Sequence, residues 1–355
     1  MKICFIVGKL YNGGAERVVS ILANVFVEKG YETTIVCFEK NDKEYYVDDK
    51  VKRHVISSQK GNIGILIKAF NYIRKSNFDV VIGFDILPNL ICSFAALFTK
   101  KKYIISERNA PKQVEINPLL KVLRYIAYGF VDAIVFQTEE AMCCYRKGIA
   151  KKGIVIKNPV SSRLPRRSNM HNKEIVAMGR LTAQKNYKLL IRAAKQIHKE
   201  FPDYVFKIYG QGELEKELQN FIKKYDAEKY IVLEGYYDNV CQQIIDSDIF
   251  VLTSLYEGMP NSLIEAMCMG FPVVSSDCPS GGPKELIIRG ENGLLFRNDD
   301  EEDFIQQLRI LLTNENEKEE MGKNALKLYN ELNQDVIVNK WINLVSDIKT
   351  KEKGK

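Results

Sequence analysis

Histidine is scarce in the chain, and no pair of cysteines has the CxxC spacing of a zinc or redox site. The three histidines are far apart in the sequence, so they supply no cluster for a metal ion or for acid–base catalysis. Several of the eight cysteines lie inside apolar strand or helix patterns. We therefore expect buried, reduced thiols rather than disulfides or a zinc site.

The chain also lacks a long apolar run. The longest candidate, ILPNLICSFAALF, falls short of the roughly 20 residues that cross a bilayer and is interrupted by Pro88 and Asn89, which favours a buried helix. The opening MKICFIVGKL has no small-residue cleavage site, so it predicts a strand and not a signal peptide. These absences indicate a cytoplasmic protein.

Sequence patterns of nucleic-acid binding are missing as well. The net charge is +7, but the lysines are spread along the chain without an RRM, zinc-finger or helix-turn-helix pattern, so we expect no nucleic acid partner. A basic face for an acidic membrane or a phosphate-rich substrate explains the charge balance as well. The 355 residues, 46% hydrophobic and 27% charged, are enough for two globular domains.

Apolar strands and amphipathic helices alternate along both halves of the chain. Strands such as KICFIVG, TTIVCF and DVVIGF mark the first half, and the same rhythm restarts with EIVAMGRL. Continuous apolar strands separated by helices predict a parallel, doubly covered sheet in each half. We place a first Rossmann-like domain at residues 1–160, a polar and basic linker at 161–173, and a second Rossmann-like domain at 174–333. Residues 334–355 form a C-terminal helix with a charged tail, which can return to the first domain.

Glycines mark several of the expected strand ends. Gly13 and Gly14, in GKLYNGGAER, allow a close approach of backbone to a ligand, and Glu16 lies near the positive end of the following helix. Gly210 ends a strand in the second half, within IYGQGE. A tight turn would account for each glycine alone, because the full GxGxxG spacing is missing.

Two cations follow a strand of the second half in the segment GRLTAQKN. Arg180 and Lys185 are five residues apart across a loop, close enough to bracket one diphosphate. Fixed cations there would stabilise a leaving group whose negative charge grows as a bond breaks. The alternative interpretation is a pair of solvated loop cations.

Two glutamates stand eight residues apart in SLYEGMPNSLIEAM. Both follow a strand, at the edge where open α/β sheets bind ligands. Ser262 and Glu265 have the spacing of a capping box at the start of a helix, which is a structural explanation for Glu265. Glu257 lies before that helix and has no such explanation. One loop carboxylate can accept hydrogen bonds from sugar hydroxyls, and the other can hold a ribose diol.

The glycine turns, the two cations and the two glutamates follow one another in this order along the chain. With them, the chain resembles the family 4 retaining glycosyltransferases of the GT-B fold over nearly its full length. The matching segments are NGGAER, GRLTAQKN, IYGQGELEKEL, LEGYYDNV, SLYEGMPNSLIEAM, FPVVSSDCPSGGPKELI and ENGLLF. The pair Glu257 and Glu265 is similar to the E-x7-E signature of that family. The fold that the resemblance implies is α/β, with two Rossmann-like parallel-sheet domains facing across a cleft.

The resemblance implies a nucleotide-sugar donor in the second domain and the acceptor in the first. It gives catalytic roles to Glu257 at the donor sugar and to Arg180 and Lys185 at the diphosphate. Glu265 would hold the ribose, and the backbone N–H groups of residues 261–263 would cradle phosphate. The implied donor-binding residues are Gly14, Gly179, Gly210, Gly235, Gly258, Met259, Pro260, Asn261, Ser262, Leu263 and Glu265. The implied acceptor-side or donor-sugar residues are Gly13, Glu16, Arg108 and Asn109.

One departure from the family pattern lies after the strand KYIIS. The family often has a histidine there, whereas this chain has SERNAP, with Arg108 or Asn109 at the corresponding position. The chemistry of a donor-sugar contact from this loop is therefore open. The resemblance implies no metal or other cofactor, and we expect the acidic run NDDEED, residues 298–303, to be a solvated loop and helix start.

The implied reaction moves a hexose or N-acetylhexosamine from a UDP-sugar to a saccharide acceptor, with retention of anomeric configuration. In the bacterial capsule and O-antigen enzymes that the chain resembles, this acceptor is carried on polyprenyl diphosphate. In INPLLKVLRYIAYGF the leucines, Ile126 and Ala127 share one helical face and Lys121 and Arg124 lie elsewhere, as in a helix on the inner membrane surface. A helix packed on its own sheet is the alternative. Two other functions stay open: a GT-B-like sugar-nucleotide epimerase, which would release free sugar without an acceptor, and a non-catalytic nucleotide-sugar sensor.

Overall fold

A computed structural model describes residues 1–11, 13–59, 61–108, 118–168 and 171–350 of the chain. These residues form two compact units. The first unit contains Met1–Pro159 together with the segment that begins at Leu332, and the second unit contains Val160–Glu331.

Strands and helices alternate through the first 159 residues. The strands are β1 (Lys2–Ile6), β2 (Glu32–Cys37), β3 (Lys52–Val55), β4 (Val80–Phe84), β5 (Lys102–Ser106), β6 (Ala133–Phe136) and β7 (Gly153–Val155). The helices are α1 (Gly14–Glu28), α2 (Gly61–Lys75), α3 (Ile86–Ala96), α4 (Pro118–Ala127), α5 (Glu139–Cys143) and α6 (Lys147–Ala150).

The second unit repeats the alternation. Its strands are β8 (Asn172–Met178), β9 (Val205–Tyr209), β10 (Ile231–Gly235), β11 (Ser247–Leu252), β12 (Val273–Asp277) and β13 (Leu294–Arg297). Its helices are α7 (Tyr187–Glu200), α8 (Glu215–Lys224), α9 (Val240–Gln243), α10 (Asn261–Met269), α11 (Glu301–Thr313) and α12 (Glu315–Leu326), and α13 (Tyr329–Leu332) stands at the boundary.

Both sheets are parallel. The seven-stranded sheet of the first unit has the order β3-β2-β1-β4-β5-β6-β7, and the six-stranded sheet of the second has the order β10-β9-β8-β11-β12-β13. The central strands β1, β4 and β11 are buried along almost their whole length, because helices cover both faces of each sheet. This coverage is why the strands read as continuous apolar runs, and it confirms the predicted pair of Rossmann-like folds.

The last helix, α14 (Gln334–Thr350), packs in the first unit beside α1. Its Trp341 is fully buried, and the indole stacks on Phe84 with 5.5 Å between the ring centres. Lys349 Nζ lies 2.5 Å from Asp79 Oδ1. A ring contact and an ion pair thus join the C-terminal helix to Phe84 at the end of β4 and to Asp79 just before it.

Part of the segment expected as a linker packs within the second unit. The guanidinium of Arg167 lies 3.0 Å from Asp248 Oδ1 and is almost completely buried. Its backbone N–H donates to the carbonyl of Met269, and Ser168 N–H donates to that of Ile245. Arg167 is therefore buried although its segment is polar, because it pairs with Asp248, which is about 80 residues later in the chain.

No helix within the described residues is long and apolar enough to cross a membrane. All eight cysteines are free thiols, and six of them are buried, as the sequence predicts.

Candidate active site

Three glycines lie at the carboxyl ends of the neighbouring strands β8, β9 and β10. Gly210 N–H donates to the carbonyl of Gly235 at 2.7 Å, and Gly179 N–H donates to that of Tyr209 at 2.9 Å. A Cβ atom on Gly210 would lie 1.9 Å from the carbonyl oxygen of Gly179. The backbones of two strand ends therefore pack directly on each other, and only glycine fits at position 210.

An ion pair between Lys185 and Glu257 lies close to this edge. The Lys185 Nζ and Glu257 Oε1 atoms are 2.5 Å apart, and the side chains are only 12% and 9% exposed. The hydroxyl of Ser254 donates to the same carboxylate oxygen at 2.7 Å, and Gln184 Nε2 lies 3.4 Å from the other oxygen. Glu257 is thus held in place by three donors before any ligand binds.

Backbone contacts join the two loops that carry this pair. Gln184 donates its side-chain amide to the carbonyl of Tyr256 at 2.9 Å and accepts from Leu255 N–H at 2.8 Å. The Thr253 hydroxyl donates to the carbonyl of Lys185 at 2.9 Å. The loop after β8 and the loop after β11 therefore form one rigid block, as adjacent strands of the sheet allow.

Arg180, the other expected cation, is exposed and has no ion pair within the described residues. Lys185 differs because its charge is already balanced by Glu257. The two cations that look equivalent in the sequence are therefore different electrostatically, and Arg180 has the uncompensated positive charge.

The expected capping box at the start of α10 is absent. The Pro260 carbonyl accepts from Ile264 N–H at 3.1 Å, so Pro260 is the N-cap and the helix begins at Asn261. Ser262 is therefore inside the helix, and Glu265 lies beyond its first turn. The buried hydroxyl of Ser262 has no hydrogen-bond partner in the part of the chain that the structure describes. The capping explanation for Glu265 is wrong.

Glu265 is instead a buried carboxylate that faces α9. Its Oε2 accepts a hydrogen bond from the Cys241 thiol at 3.7 Å, and Cys241 lies in the segment that follows Gly235. Burial, followed by the charge of Glu265, raises the pKa of the Cys268 thiol to about 12. The carboxylate thus lies beside α9, the helix that follows β10 in the chain.

The backbone donors expected to cradle phosphate at the start of α10 are not equivalent. Leu263 N–H already donates to the carbonyl of Pro260 at 3.1 Å, whereas Ser262 N–H has no backbone acceptor in the described chain. Beside them, a Cβ atom on Gly282 would lie 2.1 Å from the carbonyl oxygen of Gly258. This close packing fixes the Gly258–Pro260 turn, and Met259 and Pro260 in it are buried.

Sequence reasoning missed several residues around Glu257. Ser254 and Gln184 contact its carboxylate, and the buried side chains of Tyr187 and Cys278 lie near it. Burial, followed by the negative charge of Glu257, raises the pKa of Cys278 to about 12 and raises the pKa of Tyr187. Ser254 and Gln184 were visible as polar residues within three positions of Glu257 and Lys185, but nothing in the sequence indicates their orientation.

In the first unit, Gly13 caps α1 and Gly14 begins it. Glu16 lies in the first turn, as predicted, and its carboxylate folds back so closely that a Cβ atom on Gly13 would be 2.0 Å from Glu16 Oε2. A side chain at position 13 would therefore require the flexible Glu16 side chain to turn away.

Arg108 is an interior cation of the first unit and not a loop cation open to solvent. Its Nη1 atom lies 2.5 Å from Asn158 Oδ1, and the guanidinium stands 4.7 Å from the centre of the Phe84 ring. Burial lowers the pKa of Arg108 to about 9. Asn109, the neighbouring candidate, lies outside the described residues.

Helix α4 differs from the predicted basic amphipathic helix in the position of Arg124. Arg124 is buried, with Nη1 3.7 Å from the carboxylate of Glu107, whereas Val122, Leu123 and Ile126 are 55%, 48% and 58% exposed. Arg124 is buried because it pairs with the buried Glu107, and the apolar side chains of α4 are exposed. The side chains of residues 118–120 lie outside the described part.

The acidic run at residues 298–303 is a helix start, as predicted, but it is not solvated throughout. Asp300 caps α11 by accepting from Asp303 N–H at 3.0 Å, and Asp303 is itself buried, where it accepts from Arg297 N–H at 2.7 Å. The described residues contain no group of three or more His, Cys, Asp or Glu side chains placed to hold a metal ion.

Comparison with known families covers both units. A family model described as "Glycosyltransferase Family 4" matches residues 12–163, and one described as "Glycosyl transferases group 1" matches residues 162–328. Together they account for most of the chain.

Two curated relatives match most of their own length. "GalNAc-alpha-(1->4)-GalNAc-alpha-(1->3)-diNAcBac-PP-undecaprenol alpha-1,4-N-acetyl-D-galactosaminyltransferase" of Campylobacter jejuni is 28% identical over 366 residues, covering 98% of this chain and 99% of that protein. "UDP-Gal:alpha-D-GlcNAc-diphosphoundecaprenol alpha-1,3-galactosyltransferase" of Escherichia coli is 25% identical over 345 residues, covering 88% of each. Among solved structures, Anabaena Alr3699/HepE in complex with UDP-glucose has a TM-score of 0.84 at 17% identity, covering 98% of this chain and all of that one.

Proposed function

Because the chain belongs to the family 4 glycosyltransferases, with two Rossmann-like parallel-sheet domains of the GT-B fold, we propose that it moves a hexose or N-acetylhexosamine from a UDP-sugar to a lipid-linked saccharide. The observation that carries this proposal is the fixed Glu257 carboxylate beside Lys185, at the sheet edge where Gly179 and Gly210 directly follow their strands. A carboxylate held in this way suits a ligand that is rich in hydroxyl groups.

Each end of the donor has a proposed partner in the second unit. The uncompensated charge of Arg180 and the free N–H of Ser262 would bind the diphosphate, with Lys185 contributing when the donor separates it from Glu257. Glu257 would contact the sugar and Glu265 the ribose hydroxyls, and the loop after Gly235 would face the base. With cations and backbone donors at the diphosphate, we propose no metal or other cofactor.

The names of the relatives support the choice of donor and acceptor. The Escherichia coli relative is named for UDP-galactose, both curated relatives are named for acceptors on undecaprenyl diphosphate, and the Anabaena structure holds UDP-glucose. A lipid-linked acceptor requires access to a membrane surface, and the outward apolar side chains of α4 suit that position. We therefore propose peripheral association with the cytoplasmic face of the membrane.

We further propose that the anomeric configuration is retained. The bond between the anomeric carbon and the diphosphate oxygen breaks, the acceptor oxygen bonds to the same face of that carbon, and a departing phosphate oxygen takes the acceptor proton. No histidine lies among the residues assigned to this reaction, which is compatible with a phosphate base. NMR of the product is expected to show the same anomeric configuration as the donor, and an inverted product would contradict the mechanism.

The donor site itself is tested by ligand-dependent thermal stability. UDP and UDP-sugars at saturating concentration are expected to raise Tm by about 5 °C or more, because they bind only the folded state, whereas GDP- and ADP-sugars leave it unchanged.

In Glu265→Gln the neutral amide accepts weaker hydrogen bonds from the ribose, so the affinity for UDP should fall about tenfold.

Glu301→Gln is the matched control for this substitution. It also removes a glutamate charge from the second unit, where Glu301 pairs with Arg192 at the surface. If only GDP ligands raise Tm, the choice of UDP is wrong, and if Glu265→Gln and Glu301→Gln bind UDP equally well, Glu265 does not hold the ribose.

A further inference from the structure

The exposed apolar side chains of the first unit are concentrated on one face of its sheet. Helices α2, α3 and α4 connect β3, β4, β5 and β6 in one direction across the sheet, so right-handed crossovers place all three on the same face. Helix α1 connects β1 to β2 in the opposite direction and lies on the other face, where α14 packs against it.

Nine of the seventeen exposed large hydrophobic residues of the described chain lie on α2, α3 and α4 or at their carboxyl ends, and none lies on α1 or α14. They are Ile63, Ile67, Phe94, Leu97, Phe98, Val122, Leu123, Ile126 and Phe130. Isolated exposed apolar residues are ordinary, but this concentration on three adjacent helices indicates a surface that is covered in use. We call it the α2–α4 face.

A basic cavity opens at one rim of this face. It has a volume of about 410 Å³ and is lined by five cationic side chains and one carboxylate: Arg74, Lys100, Lys101, Lys102, Lys349 and Asp79. The aromatic ring of Phe98 also lines it, and Phe98 is 61% exposed. One residue therefore belongs both to the cavity and to the α2–α4 face.

The positive charge of the cavity is only partly compensated. Lys349 pairs with Asp79 at 2.5 Å, and Lys101 Nζ donates to the carbonyl of Ser76 at 2.6 Å. Arg74 and Lys100 are exposed and have no ion pair within the residues that the structure describes. Arg74 lies in the last turn of α2, where a cation complements the helix carbonyls, but Lys100 is in a loop and has no such role.

We propose that this cavity binds the phosphate of an anionic phospholipid headgroup, while Phe98 and its apolar neighbours lie at the level of the acyl chains. An anion with an attached apolar group fits a site in which cations adjoin an exposed aromatic surface, whereas a free phosphate would leave the aromatic side unoccupied. The inference rests on the membrane association proposed above, for which it names the lipid class and the binding residues.

The cavity is separate from the residues assigned to catalysis. Asp79 directly precedes β4 and Lys102 begins β5, so the cavity lies at the amino ends of these strands. Ligand chemistry in parallel sheets takes place at the carboxyl ends. Substitutions in the cavity are therefore expected to leave the transfer of sugar to a water-soluble acceptor unchanged.

Co-sedimentation with vesicles tests the proposal. The full chain is expected to bind vesicles of phosphatidylcholine that contain phosphatidylglycerol and not those of phosphatidylcholine alone. Arg74→Gln combined with Lys100→Gln should weaken this binding about 30-fold, the loss expected for two basic side chains at an anionic surface. Phe98→Ser should weaken it as well, with the charge unchanged.

The matched control is Arg146→Gln combined with Lys151→Gln, which removes the same charge from two exposed residues of the first unit. We expect less than a threefold change, and an unchanged Tm in all variants ensures that folding is not the cause. Equal losses in both double variants, or equal binding to neutral vesicles, would overturn the proposal. Full displacement by millimolar glycerol phosphate would also overturn it, since that identifies a site for a free anion.

Lipid binding is measured without donor or acceptor, so its failure is distinguishable from failure of the proposed transfer reaction. If the enzyme transfers sugar to soluble acceptors but does not bind anionic vesicles, the lipid site alone is refuted.

Discussion

Replacing Glu257 with glutamine is expected to lower kcat for sugar transfer by about 10²- to 10³-fold. The substitution keeps the size of the side chain and its ability to accept from Ser254, but it removes the charge that lies 2.5 Å from Lys185. That charge is held in a largely buried site, where it acts strongly on positive charge that develops at the sugar. Steady-state kinetics with separate kcat and donor affinity measure the effect.

The affinity of Glu257→Gln for UDP should stay within about threefold of wild type, because the proposed contact is to the sugar and not to the nucleotide. Glu301→Gln serves as the control, since it removes an equivalent charge from a surface ion pair with Arg192. Wild-type kcat in Glu257→Gln would mean that the ion pair with Lys185 is only structural.

Gly210→Ala is expected to destabilise the second unit by about 3 kcal/mol or more and to lower Tm by roughly 6–12 °C. The new Cβ atom would meet the carbonyl oxygen of Gly179 at 1.9 Å, so one of the strand ends of β8 and β9 must move. Those strand ends carry the candidate donor site. UDP binding should therefore fall together with stability, which thermal unfolding with and without UDP measures.

Gly148→Ala is the matched substitution for this test. Gly148 lies in α6, and a Cβ atom there would meet nothing within 4 Å, so Tm should be unchanged or slightly higher. A Gly210→Ala protein with the stability and UDP affinity of wild type would show that the close approach of Gly179 and Gly210 is not required.

The fold was predictable from the sequence because each of its elements has a local signature. Strands buried on both faces read as short apolar runs, and glycines at their ends mark the turns. The position of Glu257 before a helix was equally visible, since a Gly/Pro turn separates it from α10. The contacts of Ser254 and Gln184 with Glu257 were not predictable, because side-chain orientation depends on two loops meeting across the sheet.

The unexpected burial of two cations has one physical cause, which is an interaction between residues that are distant in the chain. Helical periodicity places Arg124 with Lys121 outside the apolar face, but the carboxylate of Glu107 draws it into the interior. Arg167 lies in the polar segment expected as a linker, and its side chain is buried against Asp248. Such charge partners leave no local pattern, so the sequence alone does not show that these cations are buried.

The predicted capping box failed for a different reason. Its residues have the required spacing, but the carbonyl of Pro260 accepts the first helical hydrogen bond and starts α10 before Ser262. The sequence was compatible with a helix that is capped by Pro260 and with one that is capped by Ser262. The conformation of the Gly258–Pro260 turn, which packs against Gly282, favours the earlier cap.

Release of UDP from a panel of UDP-sugars, measured with and without a polyprenyl-diphosphate-linked saccharide, tests the central claim most directly. The proposed function predicts that at least one UDP-sugar is consumed, that UDP appears only when the acceptor is present, and that the lipid-linked product gains one sugar. Release of free sugar without acceptor would identify the epimerase chemistry instead, and tight UDP-sugar binding without turnover on any acceptor would identify a sensor. Either result would contradict a transferase that uses Glu257 at the reacting sugar.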